Sequence, residues 1–261
     1  MPMRRGAWWL PTLAAGVLAC ASGSPAARPT AAPAPSGEVA ALGAARQLIV
    51  VTTPAWDSVS GTLRRYERAA DGDAWTAVGD VVPVAVGHAG LAWGSDALRR
   101  SSSEPRKREG DGRAPAGVFP LDTAFGFAAD GGVPTLRLPY VPLVAGSECV
   151  DDGASVHYNT VVDRARVPQV DWTSSERMRQ IGQYRLGVIV GYNAPAPVAG
   201  RGSCIFLHIW SGPGVGTAGC TAFPASAVET VVHWLDRSRR PMLVQLPSSE
   251  YARVRAAWRL P

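Results

Sequence analysis

Ile205-Phe206-Leu207-His208-Ile209-Trp210 is an apolar run of strand-forming residues that carries a histidine. Ser211-Gly212-Pro213-Gly214-Val215-Gly216 follows, then Thr217-Ala218-Gly219-Cys220-Thr221. A buried strand followed by a glycine-rich loop must turn sharply, and the loop lets the chain fold back. Imidazole and sulfur can then meet although eleven residues separate them. A thiol is a weak nucleophile until a base removes its proton, and a neighbouring histidine supplies that base. His208 and Cys220 are therefore the candidate catalytic pair.

The rest of the chain reads mainly as strands. Residues 47–52 and 61–67 form two runs around a turn. Residues 75–78 and 82–86 continue the pattern, with Gly79-Asp80 as a turn between them. Residues 118–121, 135–138, 188–192 and 204–210 are further strands, and 241–246 is a closing strand. Residues 101–117 are polar, basic and broken by Gly and Pro, which predicts a loop. A short helix is expected over 174–181. The clearest helix covers 224–236, with Pro224 at its start and Val228, Val231, Val232 and Leu235 at helical spacing. The expected architecture is mainly β, sandwich- or barrel-like, with a few peripheral helices.

The N-terminus carries the marks of export. Arg4 and Arg5 precede an apolar stretch over 7–19, and small residues surround Cys20, the layout of a signal peptide over 1–21. Two processing routes fit it. Val17-Leu18-Ala19-Cys20 resembles a lipobox, in which Cys20 is lipidated and tethers the protein to a membrane. Ala19-Cys20-Ala21 also fits ordinary cleavage after Ala21. An uncleaved anchor is a third reading, and all three place the domain outside the cytoplasm, in the cell envelope. Residues 22–45 are rich in Ala and Pro and nearly uncharged, the composition of a tether. One domain is expected over 46–250, with a tail over 251–261. The chain carries 26 Lys and Arg against 21 Asp and Glu, a net charge of +5, which suits an anionic envelope surface. No nucleic-acid motif accompanies that charge.

Two cysteines are left once Cys20 and Cys220 are set aside. In an oxidising compartment Cys149 and Cys204 most simply pair, which would anchor the histidine strand; two buried free thiols are the alternative. No CxxC or HxxxH spacing points to a metal, and neither metal nor cofactor is expected.

Two marks together resemble the catalytic domain of the L,D-transpeptidases, the YkuD-like family, over residues 83–247. The first is the run from Lys107 to Phe119, which includes Gly110-Asp111-Gly112-Arg113-Ala114-Pro115-Ala116-Gly117-Val118-Phe119 and is similar to the family's Gly…Thr-Pro-x-Gly-x-Phe signature. The second is His208 with Thr217-Ala218-Gly219-Cys220, similar to its His…(Ser/Thr)-x-Gly-Cys motif. The chain departs from the pattern in its short His-to-Cys interval, in Ala218 where His is frequent, and in Thr221-Ala222-Phe223 where an arginine is common. The resemblance implies a β-rich L,D-transpeptidase fold, peptidoglycan stem peptides as substrate, a thioester on Cys220, and transfer of the acyl group to an amine, which cross-links the wall. It implies no cofactor and a monomer.

Other residues take candidate roles around this pair. The backbone N–H groups of Gly219 and Cys220 are candidate oxyanion donors. A backbone carbonyl is a candidate to orient His208, since no third acidic partner is evident. His157, Tyr158, Asn159, Trp210, Thr217 and Arg113 are candidate substrate contacts. Arg106, Lys107 and Arg108 read as a solvated loop, His88 as ordinary loop chemistry, and Gly110-Asp111-Gly112 as a turn. Three function classes follow: a transpeptidase, a Cys-dependent carboxypeptidase or amidase that uses water as acceptor, and a non-catalytic muropeptide-binding lipoprotein.

Overall fold

A computed structural model describes residues 1–3, 37–129 and 136–261. The signal peptide after residue 3, Cys20, the tether as far as residue 36, and Thr135 lie outside the described residues.

The chain is mainly β. Among the described residues the first elements are helix α1 (Gly37–Ala41) and strands β1 (Gln47–Thr53), β2 (Ser60–Glu67), β3 (Thr76–Ala85) and β4 (Leu91–Trp93). Next come β5 (Ala114–Pro120), β6 (Thr123–Gly126), β7 (Tyr140–Pro142), β8 (Ser147–Val150), β9 (Val161–Asp163) and β10 (Ser175–Arg177). Strands β11 (Leu186–Ile189), β12 (Phe206–Ile209) and β13 (Thr221–Phe223) lead to helix α2 (Ala225–Trp234), strand β14 (Met242–Pro247) and helix α3 (Ser248–Val254).

Eleven strands form one sheet in the order β4-β5-β14-β1-β2-β3-β13-β12-β11-β6-β7, and β10-β8-β9 form a smaller one. β1 lies between parallel β14 and antiparallel β2, and its Leu48, Ile49, Val50 and Val51 are all buried. That double burial explains its unbroken apolar run. The large sheet curls over its core. Gly191 N–H donates to Pro120 O at 2.9 Å, linking the segment after β11 to the end of β5, far away in strand order. Gln245 on β14 spans the interior, taking the Thr221 hydroxyl at 2.6 Å and giving its amide to Pro115 O at 2.9 Å. Helix α2 packs Val228, Val231 and Val232 into the same core, as the helical spacing predicts.

Several expected elements differ. The two strands expected at 75–86 are one strand, β3, because Gly79 does not turn the chain. With φ at 66° it makes a bulge opposite Leu63 and Arg65, and pairing with β2 resumes on both sides. Residues 114–117 belong to strand β5, not to a loop, since β14 and β4 claim their backbone. The helix expected at 174–181 is strand β10 followed by a single turn, because pairing with β8 outweighs weak helical spacing. Within 136–138 only Arg137 makes a bridge, to Asp236. The domain is also longer than expected. Val39, Leu42 and Ala45 from the tether end, and Val254 and Leu260 from the expected tail, are part of the core.

Cys149 and Cys204 form a disulfide with Cα atoms 6.0 Å apart, and Cys220 is free and buried. The disulfide joins β8 of the small sheet to the residues that lead into β12. Around it lies a second apolar cluster of Phe125, Leu143, Met178, Tyr184, Phe206 and Cys220. The rings of Phe125, Tyr184 and Phe206 meet edge-on, with centroids 5.1 to 5.8 Å apart.

The disulfide closes a loop across a sequence separation of 55. Urea unfolding of the Cys149→Ala/Cys204→Ala variant is expected to give a stability lower by about 2–4 kcal/mol than that of the oxidised protein.

Candidate active site

β12 and β13 are neighbours and run parallel, with Leu207 opposite Thr221 and His208 opposite Ala222. The chain therefore does not simply fold back after Trp210. It returns along residues 211–220 to the start of β12 and runs alongside it. Extending the register places Cys220 opposite Phe206, so alternation puts Cys220, Ala222 and His208 on one face. All three line a cavity of about 290 Å³.

The glycine-rich return is pinned to the strand end after β3. Thr217 N–H donates to Val86 O at 2.9 Å, and His88 N–H donates to Thr217 O at 2.8 Å. The His88 Nδ1 also lies 3.0 Å from Thr217 O, so this histidine positions the loop. Gly216 passes so close that a Cβ there would lie 2.5 Å from His88 Cα. The Thr217 hydroxyl donates to Cys220 O at 2.7 Å and accepts Gly219 N–H at 3.1 Å. That bond corrects the oxyanion assignment of Gly219: its N–H is already taken, which leaves Cys220 N–H as the candidate donor.

His208 is 7 % exposed, and its Nδ1 lies 2.8 Å from Ile209 O. An Nδ1–H donated to that carbonyl leaves Nε2 with its lone pair, the tautomer that a general base needs. Burial pushes the imidazole down to about 4, against the smaller opposing effect of the Ile209 hydrogen bond. Burial raises the Cys220 thiol, and the Glu176 charge raises it further. The resting pair at neutral pH is therefore neutral thiol and neutral imidazole. The thiol accepts Phe206 N–H at 3.3 Å and points its proton at Cys204 O, 3.4 Å away. Delivering that proton to His208 requires the S–H to turn away from Cys204 O.

Two residues absent from the sequence reading complete the cavity's inner wall. Tyr184 meets the His208 ring edge-on at 5.0 Å and packs in one cluster with Cys220. The Tyr184 hydroxyl lies 2.7 Å from Glu176 Oε2. Burial pushes the Glu176 carboxyl up to about 7, the Tyr184 hydrogen bond opposing and the charges of Asp151 and Glu109 adding to the rise. Neither residue stood in a motif, and Glu176 fell within the expected helix at 174–181. Asp151, Glu109 and Lys107 also line the cavity. Lys107 is buried against Asp111 at 2.6 Å, not solvated as the basic run implied.

Of the candidate substrate contacts, Thr217 lines the cavity and the other five do not. Arg113 gives its guanidinium to Leu91 O at 2.9 Å and Trp56 O at 3.2 Å, which ties loop to sheet. His157 stacks edge-on against Trp172, whose indole donates to Glu148. Tyr158 donates to Glu109. Asn159 gives its amide to Tyr192 O and Asn193 O and takes Cys204 N–H, each at 2.9 Å. Trp210 is half-buried and donates its N–H to Phe223 O at 3.0 Å, extending the β12–β13 pairing. These residues build the frame of the site.

Gly216→Ala is expected to cost about 1–3 kcal/mol in thermal or urea unfolding, because the new methyl meets backbone and not a movable side chain. His208 supplies a pH test. Its folded-state value lies below the unfolded one, so unfolding takes up a proton between the two. Stability is complete above about pH 6.5 and falls by about 3 kcal/mol as pH drops toward 4, a loss that His208→Gln should remove from the urea-unfolding profile.

No family model, no curated protein and no solved structure matches the chain, so its geometry and sequence motifs are what bear on its function.

Proposed function

We propose that this chain is a cysteine acyltransferase of the L,D-transpeptidase type, acting in the bacterial cell envelope on peptidoglycan stem peptides. The observation that carries the reading is the placement of Cys220 and His208 on one face of two adjacent parallel strands, lining a single cavity. The Ile209 carbonyl supports it by presenting His208 Nε2 as an acceptor. The sequence marks around Gly117 and Gly219 support the substrate class. The signal-like N-terminus supports export, with a lipid on Cys20 as the proposed tether to the membrane.

The reaction follows from the neutral pair. His208 Nε2 takes the Cys220 proton as sulfur bonds to the carbonyl carbon of the donor peptide, and the oxyanion that forms is met by Cys220 N–H. The imidazolium returns that proton to the departing amine as the C–N bond breaks, leaving a thioester. An acceptor amine then attacks, gives a proton to His208, and forms a new amide while the thiolate leaves. The imidazolium reprotonates the thiolate, and the pair is restored. Glu109, Asp151 and Glu176 in the cavity wall would attract an acceptor that arrives as an ammonium, which must lose a proton before it attacks.

Purified protein incubated with tetrapeptide muropeptides and analysed by mass is expected to yield cross-linked dimers. Trimmed monomers alone would assign hydrolysis, and an unchanged substrate would assign binding without catalysis. Cys220→Ala should abolish product, and His208→Ala should slow turnover by about 10²–10⁴-fold. Full activity in Cys220→Ala would overturn the reading.

A further inference from the structure

The inner wall of the cavity holds one more proton position than the Cys–His chemistry uses. Tyr184 is buried, with its ring wedged among Phe125, Phe206 and His208. Its hydroxyl donates to Glu176 Oε2 at 2.7 Å, and Tyr184 packs in one cluster with Cys220 and lines the same cavity. A phenol has one proton to donate, so it cannot serve a thiolate and a carboxylate at once.

We propose that Glu176 and Tyr184 set the state of the Cys220 nucleophile: a protonated Glu176 frees the Tyr184 hydroxyl to donate to Cys220 Sγ, and an ionised Glu176 draws that hydroxyl away. The inference rests on Cys220 being the nucleophile. Tyr184 is the proposed donor to the sulfur, and Glu176 is a positioning residue that acts through it. The proton count is simple. With Glu176 ionised, Tyr184 O–H points at the carboxylate, and its oxygen lone pair faces the Cys220 thiol. When the carboxylate binds one proton from solvent, the new O–H donates to Tyr184 oxygen. The hydroxyl keeps its own proton and turns to the sulfur. No other bond forms or breaks.

The surroundings favour such a switch. Glu176 faces Asp151 beyond the end of β8, Glu109 from the loop before β5, Tyr184 ahead of β11, and Cys220 itself. Lys107, the cation of the cavity lining, is bonded to Asp111 Oδ1 and Arg108 O, each at 2.6 Å. Glu176 thus sits half-buried among acids, and its upward shift to about 7 places both states within reach near neutral pH. The small sheet makes the placement rigid. Glu176 on β10 pairs with Cys149 on β8, and Cys149 is covalently joined to Cys204, whose carbonyl receives the Cys220 proton.

The test needs no peptidoglycan, so its failure can be told from a failure of the proposed function. Alkylation of Cys220 in the full chain by iodoacetamide would be followed against pH by peptide mapping, for the wild type, Glu176→Gln and Tyr184→Phe. In Glu176→Gln the carboxylate charge is gone and the amide N–H can hold Tyr184 oxygen. The midpoint for thiolate formation should fall by about one unit, giving alkylation at pH 8 that is about tenfold faster than in the wild type. In Tyr184→Phe the donor to sulfur is lost and the midpoint should rise. Superimposable profiles for wild type and Glu176→Gln would overturn the proposal while leaving Cys220 as nucleophile. Should Glu176→Gln fail to fold, infrared spectroscopy of the wild type decides. A protonated-carboxyl band that titrates near pH 7, and shifts in Tyr184→Phe, supports the switch, and a band that neither titrates there nor shifts refutes it.

Discussion

The parallel pairing of β12 with β13 is the constraint on which the site depends. Parallel neighbours need a connection that carries the chain back to the starting end of the first strand. Here that connection is residues 210–220, close to the shortest that the geometry allows. The loop can be that short because it is held on both sides. Val86 and His88 take Thr217 into the end of the β3 segment, and Trp210 stays bonded to Phe223 at the far end. A connection this taut fixes the register, and the register decides which side chains share a face. A slip of one residue would turn Cys220 toward the opposite face from His208.

A second layer of fixation comes from the small sheet. β8 carries Cys149, whose disulfide reaches Cys204 just ahead of β12. Asn159 takes Cys204 N–H while its amide holds Tyr192 O and Asn193 O. Cys204 has φ of 56°, a left-handed conformation that a non-glycine residue holds only when its neighbours impose it. Covalent and hydrogen-bonded restraint at this one residue aims its carbonyl at Cys220 Sγ. The residues expected to touch substrate, His157 to Asn159 among them, thus act on the site by building the backbone that the thiol rests on.

Much of this was legible from the sequence, and the reasons for the rest are physical. The runs at 47–52, 204–210 and 241–246 predicted strands because burial on both faces leaves them mostly apolar, with few polar residues such as His208 and Gln245 to break the pattern. Helix α2 was legible from Val228, Val231, Val232 and Leu235. The Cys149–Cys204 pair followed from compartment and elimination. The expected turn at Gly79 was instead a bulge, because a left-handed glycine serves either, and only the partner strand decides. Glu176 and Tyr184 were not legible at all. They come from different elements, eight residues apart, and meet only because β10 joins the edge of a three-stranded sheet. Arg113 stood in a motif, yet its guanidinium is spent on the carbonyls of Trp56 and Leu91.

Burial of the Cys–His pair has a consequence for how the proposed chemistry starts. An exposed thiolate–imidazolium pair would exist before substrate arrives and would react with any electrophile. In a buried site, separating charge between sulfur and imidazole is costly, and both groups here are held neutral by desolvation. Charge separation then becomes favourable only when donors are aimed at the developing negative charge. Phe206 N–H already contacts the sulfur, and Tyr184 lines the same cavity as Cys220. Cys220 N–H is the candidate donor to the oxyanion of the proposed reaction. The carboxylate of Glu176 opposes this arrangement, since its charge raises the thiol further. A site that needs an anionic sulfur gains nothing from an anion beside it unless that anion can be neutralised. The Tyr184 hydroxyl between them makes the neutralisation useful, because the proton that silences the carboxylate also frees a donor for the sulfur.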